Sequence, residues 1–304
     1  MTETERDALP PAVRELYPWA GSYLEVKGGH RLHYLDEGQG PPVVMVHGNP
    51  TWSFYYRDLV KELSRDHRCV VPDHIGCGLS DKPDDWGYHI GDHVDNLVAL
   101  VEHLGLQEAT LVVHDWGGAI GYAAAARLKG VFKRFVVMNT AAFLRPLPAS
   151  LRLLRLPLYG PLVVQGFNGF FKMGWGLATG RKERFTPAVR QGYLFPYGTW
   201  RDRKVIMRFI QEIPLEQEHP SRWLIQGLAD GLPELRPFPH LIFWGMKDPV
   251  FHPGYLEEWR ARFPEAEVYT FDDAGHWVLD EVPDRIIPRI RAFLDENPIP
   301  ASAP

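Results

Sequence analysis

Val112-Val113-His114-Asp115-Trp116-Gly117-Gly118 decides how this chain is read. The β-branched run at residues 110–113 reads as a buried strand. The two glycines and the apolar residues after them read as the start of a helix. A side chain at the sharp turn between the two stands exposed at the carboxyl edge of a parallel sheet, where a catalytic nucleophile sits. Here that side chain is an aspartate, where an acyl-transferring enzyme carries serine. A serine needs its proton removed, whereas a carboxylate with a free pKa of about 4 is already ionised at neutral pH. It attacks an alkyl carbon and forms a covalent ester. Asp115 therefore points to alkyl rather than ordinary acyl chemistry; taken alone, it also suits a helix N-cap.

Outward from this turn, strand-like runs at residues 43–46, 69–71 and 135–138 alternate with helical patterns at 54–64, 93–104 and 119–127. Such alternation means βαβ units, hence a parallel sheet with right-handed crossovers. Residues 23–26 and 31–34, around Gly28-Gly29, suggest an antiparallel hairpin at a sheet edge. The alternation stops near Thr140 and resumes at 240–244, continuing through 255–262, 267–271 and 285–294. The expected organisation is an α/β core, residues 1–142 and 215–304, interrupted by a helical cap at 143–214. The cap is rich in Leu, Phe, Gly and Arg, and its basic residues far outnumber its acidic ones. Its apolar stretch at 158–171 is broken by prolines and glycines, which argues against a membrane helix. That stretch suits a cap core and the lining of a hydrophobic substrate channel alike.

Composition narrows the function classes. The 304 residues are 45% apolar and 23% charged, ordinary for a globular protein with a sizeable core. A net charge of −5 without a long Lys/Arg run gives no reason to expect nucleic acid. No uninterrupted apolar run approaches the ~20 residues of a membrane span. Residues 1–9 are polar and acidic without the apolar stretch of a secretory signal, so the expected compartment is the cytoplasm. Cys69 and Cys77 read as a small buried hydrophobe and a turn residue. The Pro-rich end, residues 298–304, reads as frayed. No histidine spacing suits a metal and no glycine loop suits a phosphate, and the chemistry needs no cofactor.

An α/β-hydrolase orders its triad as nucleophile, acid, histidine. Asp248 lies just past the strand-like 240–244, and His276, in Asp273-Ala274-Gly275-His276, again follows a strand. Asp115, Asp248 and His276 thus have the right types, order and positions. In this reading Asp115 attacks carbon, His276 takes a proton from the water that opens the ester, and Asp248 orients the imidazole. The segment His47-Gly48-Asn49-Pro50-Thr51-Trp52 follows a strand and faces the elbow. One of its backbone N–H groups and that of Trp116 would form an oxyanion hole. The Asn49 amide and the Trp116 indole N–H add two neutral donors suited to a leaving halide or carboxylate. His47 is expected to hold its loop, His114 to pack beneath the elbow, and the turn at residues 73–80 to shape the floor.

These motifs resemble the haloalkane dehalogenase superfamily of α/β-hydrolases over nearly the whole chain. The matching segments are residues 47–53, Asp81-Lys82-Pro83, His114-Asp115-Trp116-Gly117-Gly118 and Asp273-Ala274-Gly275-His276. The resemblance implies that Asn49 and Trp116 stabilise the halide and that Asp248 is the acid. One branch of that family puts the acid after the preceding core strand, where this chain has Asn139. Other stretches are similar to the β-lactone decarboxylases of bacterial long-chain olefin biosynthesis, the OleB group. They are Trp52-Ser53-Phe54-Tyr55-Tyr56-Arg57, residues 72–78, Asn139-Thr140-Ala141-Ala142-Phe143, and the stretch from Pro196-Tyr197 through Ile213-Pro214-Leu215. That likeness implies conversion of a cis-3,4-dialkyl β-lactone to a cis-alkene and CO2, and association with other enzymes of olefin biosynthesis. Attack at the alkyl carbon and attack at the lactone carbonyl are both open from sequence. A haloalkane substrate is the first alternative. An epoxide is the second, since Tyr159, Tyr193 and Tyr197 could supply the paired cap tyrosines such hydrolases use. A non-catalytic ligand-binding hydrolase fold is the third.

Overall fold

The computed structural model describes residues 9–146, 149–166 and 168–299, with the side chains of residues 149 and 150 left aside. The polar start (residues 1–8) and the end of the Pro-rich tail (300–304) lie outside the described residues. Eight strands form one sheet: β1 (Ser22–Val26), β2 (His30–Glu37), β3 (Pro42–Val46), β4 (Arg68–Pro72), β5 (Ala109–Asp115), β6 (Phe132–Thr140), β7 (His240–Gly245) and β8 (Glu267–Phe271). Their order is β1-β2-β4-β3-β5-β6-β7-β8. The hairpin β1-β2 and the β2-β4 pair are antiparallel. Every other neighbouring pair is parallel. β5 and β7 are buried along their whole length. Strands covered on both faces carry continuous apolar runs rather than alternation, as 110–113 and 241–244 do.

The helices are α1 (Pro11–Leu16), α2 (Arg57–Leu63), α3 (Ile90–His103), α4 (Trp116–Arg127), α5 (Ala149–Leu153), α6 (Gly169–Leu177), α7 (Pro187–Leu194), α8 (Lys204–Gln211), α9 (Pro220–Gly231), α10 (Pro253–Arg262) and α11 (Pro283–Glu296), with shorter turns between them. The helix expected over 54–64 opens as a 3-10 turn, Ser53–Tyr56, before α2 begins. Its tight entry follows from its anchors. The Ser53 N–H donates to the Asp73 carboxylate at 2.6 Å, and the buried Tyr56 hydroxyl donates to the Val46 carbonyl at 2.9 Å. Between β6 and β7 the described residues form helices joined by loops and turns, with no strand. Side chains from α5, α6, α8 and α9 reach the cavity at the carboxyl edge, and α9 also packs on α3 and α4.

Candidate active site

Asp115 ends β5 with φ 52° and ψ −129°, and α4 starts at the next residue. A non-glycine residue with positive φ is uncommon and costs strain, and here it turns the carboxylate out of the sheet edge. The neighbours make room for that turn. A Cβ on Gly117 would strike the Val46 carbonyl, and one on Gly48 would strike the Asp115 carboxylate itself. The Thr140 hydroxyl donates to the Asp115 backbone carbonyl and pins the elbow to β6. In register, Asp115 lies opposite Thr140, across a shift in the β5-β6 pairing.

The three sequence-predicted chemical side chains meet at this edge. Asp115, Asp248 and His276 are 7%, 3% and 5% exposed. His276 Nδ1 donates to Asp248 Oδ2 at 2.8 Å, and its Nε2 lies 3.7 Å from Asp115 Oδ2. Asp248 Oδ1 accepts the N–H groups of Val250 (2.7 Å) and Phe251 (3.1 Å). Its Oδ2 also accepts the Asn139 side-chain amide at 3.0 Å. Asn139 is itself clamped to Gly245, donating to its carbonyl and accepting its N–H. The position that the other dehalogenase branch gives to the acid therefore holds a residue that positions Asp248.

The Asn49 N–H donates to Asp115 Oδ1 at 2.5 Å, and the Trp116 N–H donates to the same carboxylate. The two backbone donors expected of an oxyanion hole hold Asp115. Oδ1 is thereby fixed, leaving Oδ2, on the imidazole side, as the oxygen placed for attack. Burial pushes the Asp115 pKa up to about 6, offset in part by the His276 charge and these N–H groups. For His276, burial favours the neutral ring, but the Asp248 carboxylate and its hydrogen bond, with Asp115 beyond, push the pKa up to about 9. At neutral pH the resting pair is a carboxylate beside an imidazolium. Ester formation on Asp115 would remove one of the charges that hold His276 protonated, and would make the imidazole a better base.

The Asn49 side chain departs from the expectation that its amide simply faces a leaving group. Its Nδ2 donates to the Ile206 carbonyl of α8 at 3.2 Å, and its buried Oδ1 has no partner among the described residues. An amide carries two N–H donors, so one remains for the cavity that Asn49 lines. Trp116 lines the same cavity, and its indole N–H makes no hydrogen bond among the described residues. His47 holds its loop as expected, donating to Gly48 O at 2.9 Å and accepting the His74 N–H at 3.0 Å. His114 stacks on Tyr55 and donates to the His276 carbonyl at 2.8 Å, so it also braces the loop that carries His276. Burial holds its pKa well below the usual range, which keeps the ring neutral.

Two acids that sequence reasoning passed over join the cap to this edge. Glu281 accepts the N–H of Gly275 (3.0 Å), beside His276, and those of Gly180 (2.7 Å) and Arg181 (2.8 Å) in the cap. Asp280 pairs with Arg57 at 2.8 Å and accepts the Tyr193 hydroxyl from α7. Adjacent acids in the apolar run Trp277-Val278-Leu279-Asp280-Glu281-Val282 were the available signal, because buried carboxylates need partners. Above the triad lies a cavity of about 670 Å3, bounded by Phe143, Phe170, Met173, Ile210, Ile225 and Phe251 among others. Tyr159 lines it, but Tyr193 and Tyr197 are fully buried elsewhere, Tyr193 on Asp280 and Tyr197 toward the Thr51 carbonyl. The tyrosine pair required by the epoxide alternative does not face the triad.

The sequence pattern of the alpha/beta hydrolase fold family matches residues 41–283. The chain belongs to this family. The hydrolase is 44% identical over 289 residues to a "Cis-3-alkyl-4-alkyloxetan-2-one decarboxylase" of Shewanella oneidensis, covering 93% of this chain and 90% of that protein. A protein of the same name from Xanthomonas campestris pv. campestris is 41% identical, covering 93% of this chain and 98% of its own. "Haloalkane dehalogenase 2" of Mycobacterium bovis is 33% identical, covering 90% and 94%. The hydrolase thus belongs to the haloalkane dehalogenase-like branch, and the OleB likeness extends over nearly its whole length. Its fold matches the crystal structure of haloalkane dehalogenase DbeA from Bradyrhizobium elkani with a TM-score of 0.83 at 23% identity, covering 91% of this chain and 98% of that one.

Proposed function

We propose that this hydrolase is a β-lactone decarboxylase that converts cis-3,4-dialkyl β-lactones to cis-alkenes and CO2, with Asp115 as nucleophile. The observation that carries the reading is 44% and 41% identity, over 93% of the chain, to two proteins named for that reaction. The site supplies a chemistry for it. Asp115 Oδ2 attacks ring carbon C4, the C4–O bond breaks, and the ring oxygen leaves as a carboxylate on C3. The remaining N–H of Asn49 and the indole N–H of Trp116 stabilise that leaving anion. The C3–carboxylate bond then breaks to release CO2, its electron pair forms C3=C4, and the C4–Oδ2 bond breaks to restore Asp115. No water, cofactor or oxidant is consumed. Inversion at C4 followed by anti elimination amounts to syn loss overall, so a cis lactone gives a cis alkene. Attack at the carbonyl would leave an alkoxide on C4, a poor leaving group. The hydrophobic substrate occupies the cavity under the cap, residues 143–214, between the core parts 1–142 and 215–304. Action in the cytoplasm, and association with other enzymes of olefin biosynthesis, belong to the same proposal; co-elution with those enzymes tests the association.

A second reading, haloalkane dehalogenation, is favoured by the 33% identical relative and the same triad. A paired assay separates the two. Purified protein is given a cis-3,4-dialkyl β-lactone in one tube and a 1-bromoalkane in another, with alkene and bromide both quantified. Alkene without significant bromide is the expected result; bromide without alkene would make the protein a dehalogenase. His276→Ala sharpens the assay, because the halide route needs water activated by His276 and the decarboxylation does not. If the protein is a dehalogenase, intact mass should show an alkyl adduct on the variant after exposure to the bromoalkane.

A further inference from the structure

The cap carries a surface unlike the rest of the molecule. Seven large hydrophobic side chains within its residues 153–200 are exposed among the described residues, five of them in ten consecutive positions: Leu153, Leu156, Leu158, Tyr159 and Leu162. Leu158 is 86% exposed. Single exposed leucines are ordinary, but a cluster marks an interaction surface. The cluster extends to Trp200, because the Trp200 ring and the Leu162 side chain lie 3.4 and 3.5 Å from the point where a Cβ on Gly166 would stand. The segment is held in place: Gly160 N–H donates to Leu156 O, and Arg155 donates to Ile213 O at 2.8 Å and Glu216 at 2.9 Å. Its leucines therefore point outward from an anchored backbone.

Charge says what covers it. Residues 143–182 contain Arg145, Arg152, Arg155, Lys172, Arg181 and Lys182 and no acid, in a chain of net charge −5. Arg145, Arg155 and Arg181 pair with Glu258, Glu216 and Glu183, whereas Arg152, Lys172 and Lys182 have no ion pair among the described residues. The patch is also continuous with the cavity, since Leu153, Tyr159 and Leu177 are exposed on the surface and line the cavity as well. Protruding leucines, rim aromatics and three cations without an ion pair match an anionic bilayer, which takes leucines into the acyl boundary and cations onto phosphates. An acidic protein surface would satisfy the cations and leave the leucines uncovered.

We propose that the cap docks on an anionic lipid surface through Leu153, Leu156, Leu158, Tyr159, Leu162 and Trp200, and exchanges its apolar ligand with the bilayer. Only the exchange rests on the hydrophobic-substrate reading; the docking does not. The test is co-sedimentation of the full chain with vesicles of phosphatidylglycerol and phosphatidylcholine in equal parts, and with pure phosphatidylcholine. Binding to the anionic vesicles, weakened by high salt, is expected. Leu156→Asp/Leu158→Asp/Leu162→Asp should lower it by at least about tenfold, and Leu158→Asp alone should lower it measurably. A thermal melt and turnover of a short-chain lactone in free solution, both unchanged, show that these variants fold. Wild type that ignores anionic vesicles, or a triple variant that binds equally well, would overturn the proposal. So would a concentration-dependent dimer abolished by the triple variant in place of vesicle binding, which would make the face a contact between copies. Vesicle binding without lactone turnover under any condition would leave docking standing and remove the decarboxylase reading.

Discussion

At the carboxyl edge of the sheet each functional side chain is fixed by hydrogen bonds from the backbone or a neighbouring amide, whereas the cap above presents apolar side chains to the cavity and, on its outer face, to solvent. Asp115 is held by the Asn49 and Trp116 N–H groups, Asp248 by Val250, Phe251 and Asn139, and His276 by Asp248. The cavity side of the cap has Phe170, Met173 and Ile210 instead. The contrast assigns two jobs. The edge sets which bond is made, and it is built as a dehalogenase edge would be. The cap sets what is brought to it. On the proposed mechanism a carboxylate leaving C4 makes the same demand on the edge as a halide leaving an alkyl carbon.

Changes at the edge should therefore act on every substrate, and the largest effect belongs to Asp115→Asn. The amide keeps the shape and accepts the same N–H groups but is no nucleophile, so lactone turnover should fall by roughly 10⁴ or more. A residual rate within tenfold of wild type, with an unchanged circular dichroism spectrum, would place the attacking group elsewhere. Asn49→Ala should lower the rate by roughly 10²–10³, the scale for one anion-stabilising donor; an unchanged rate would leave Ile206 as the amide's purpose. Asn139→Leu removes a donor from Asp248 without touching the cavity. Losing a hydrogen bond to a charged group, about 1.5–3 kcal/mol, predicts a fall of roughly 10–100-fold. A kcat/KM within about twofold of wild type would reduce Asn139 to packing.

The pH dependence follows from Asp115 itself. Its pKa of about 6 lies above the ordinary carboxylate value because burial penalises the charge. The nucleophile is the ionised form, so kcat/KM should fall about tenfold per pH unit below pH 6 and level off above it. His276, with its pKa of about 9, stays protonated through that range and does not produce this limb. An acid limb near pH 4 would mean that Asp115 is better solvated than its surroundings indicate.

Most of the edge was legible in the sequence because its parts sit at strand ends, and strand ends can be read from apolar runs. Asp115, Asp248 and His276 each follow such a run directly, and the sheet must bring them to one side. Asn139 also follows a run, yet only the structure shows its amide reaching across to the β7 loop. The seam between edge and cap was illegible for a different reason. Asp280 binds Arg57 across more than 200 positions of sequence, and neither residue belongs to a periodic pattern that would announce the other. The outward leucines of the cap were read as core or channel lining, because hydrophobicity along the chain cannot say which side of a short turn faces water.

The smallest predicted effect tests that seam. Tyr193 was a candidate acid for epoxide opening, but it lies fully buried with its hydroxyl on Asp280, outside the cavity lining. Burial raises the pKa of Asp280, and Arg57 and Tyr193 offset part of that rise. Tyr193→Phe leaves Asp280 with Arg57 and removes one hydrogen bond, so the melting temperature should drop by several degrees. Lactone turnover at 25 °C should stay within about twofold, because the edge keeps its own hydrogen bonds. An unchanged melting temperature with turnover reduced tenfold or more would reverse the assignment, making Tyr193 a participant in the chemistry and the cap a contributor to bond breaking.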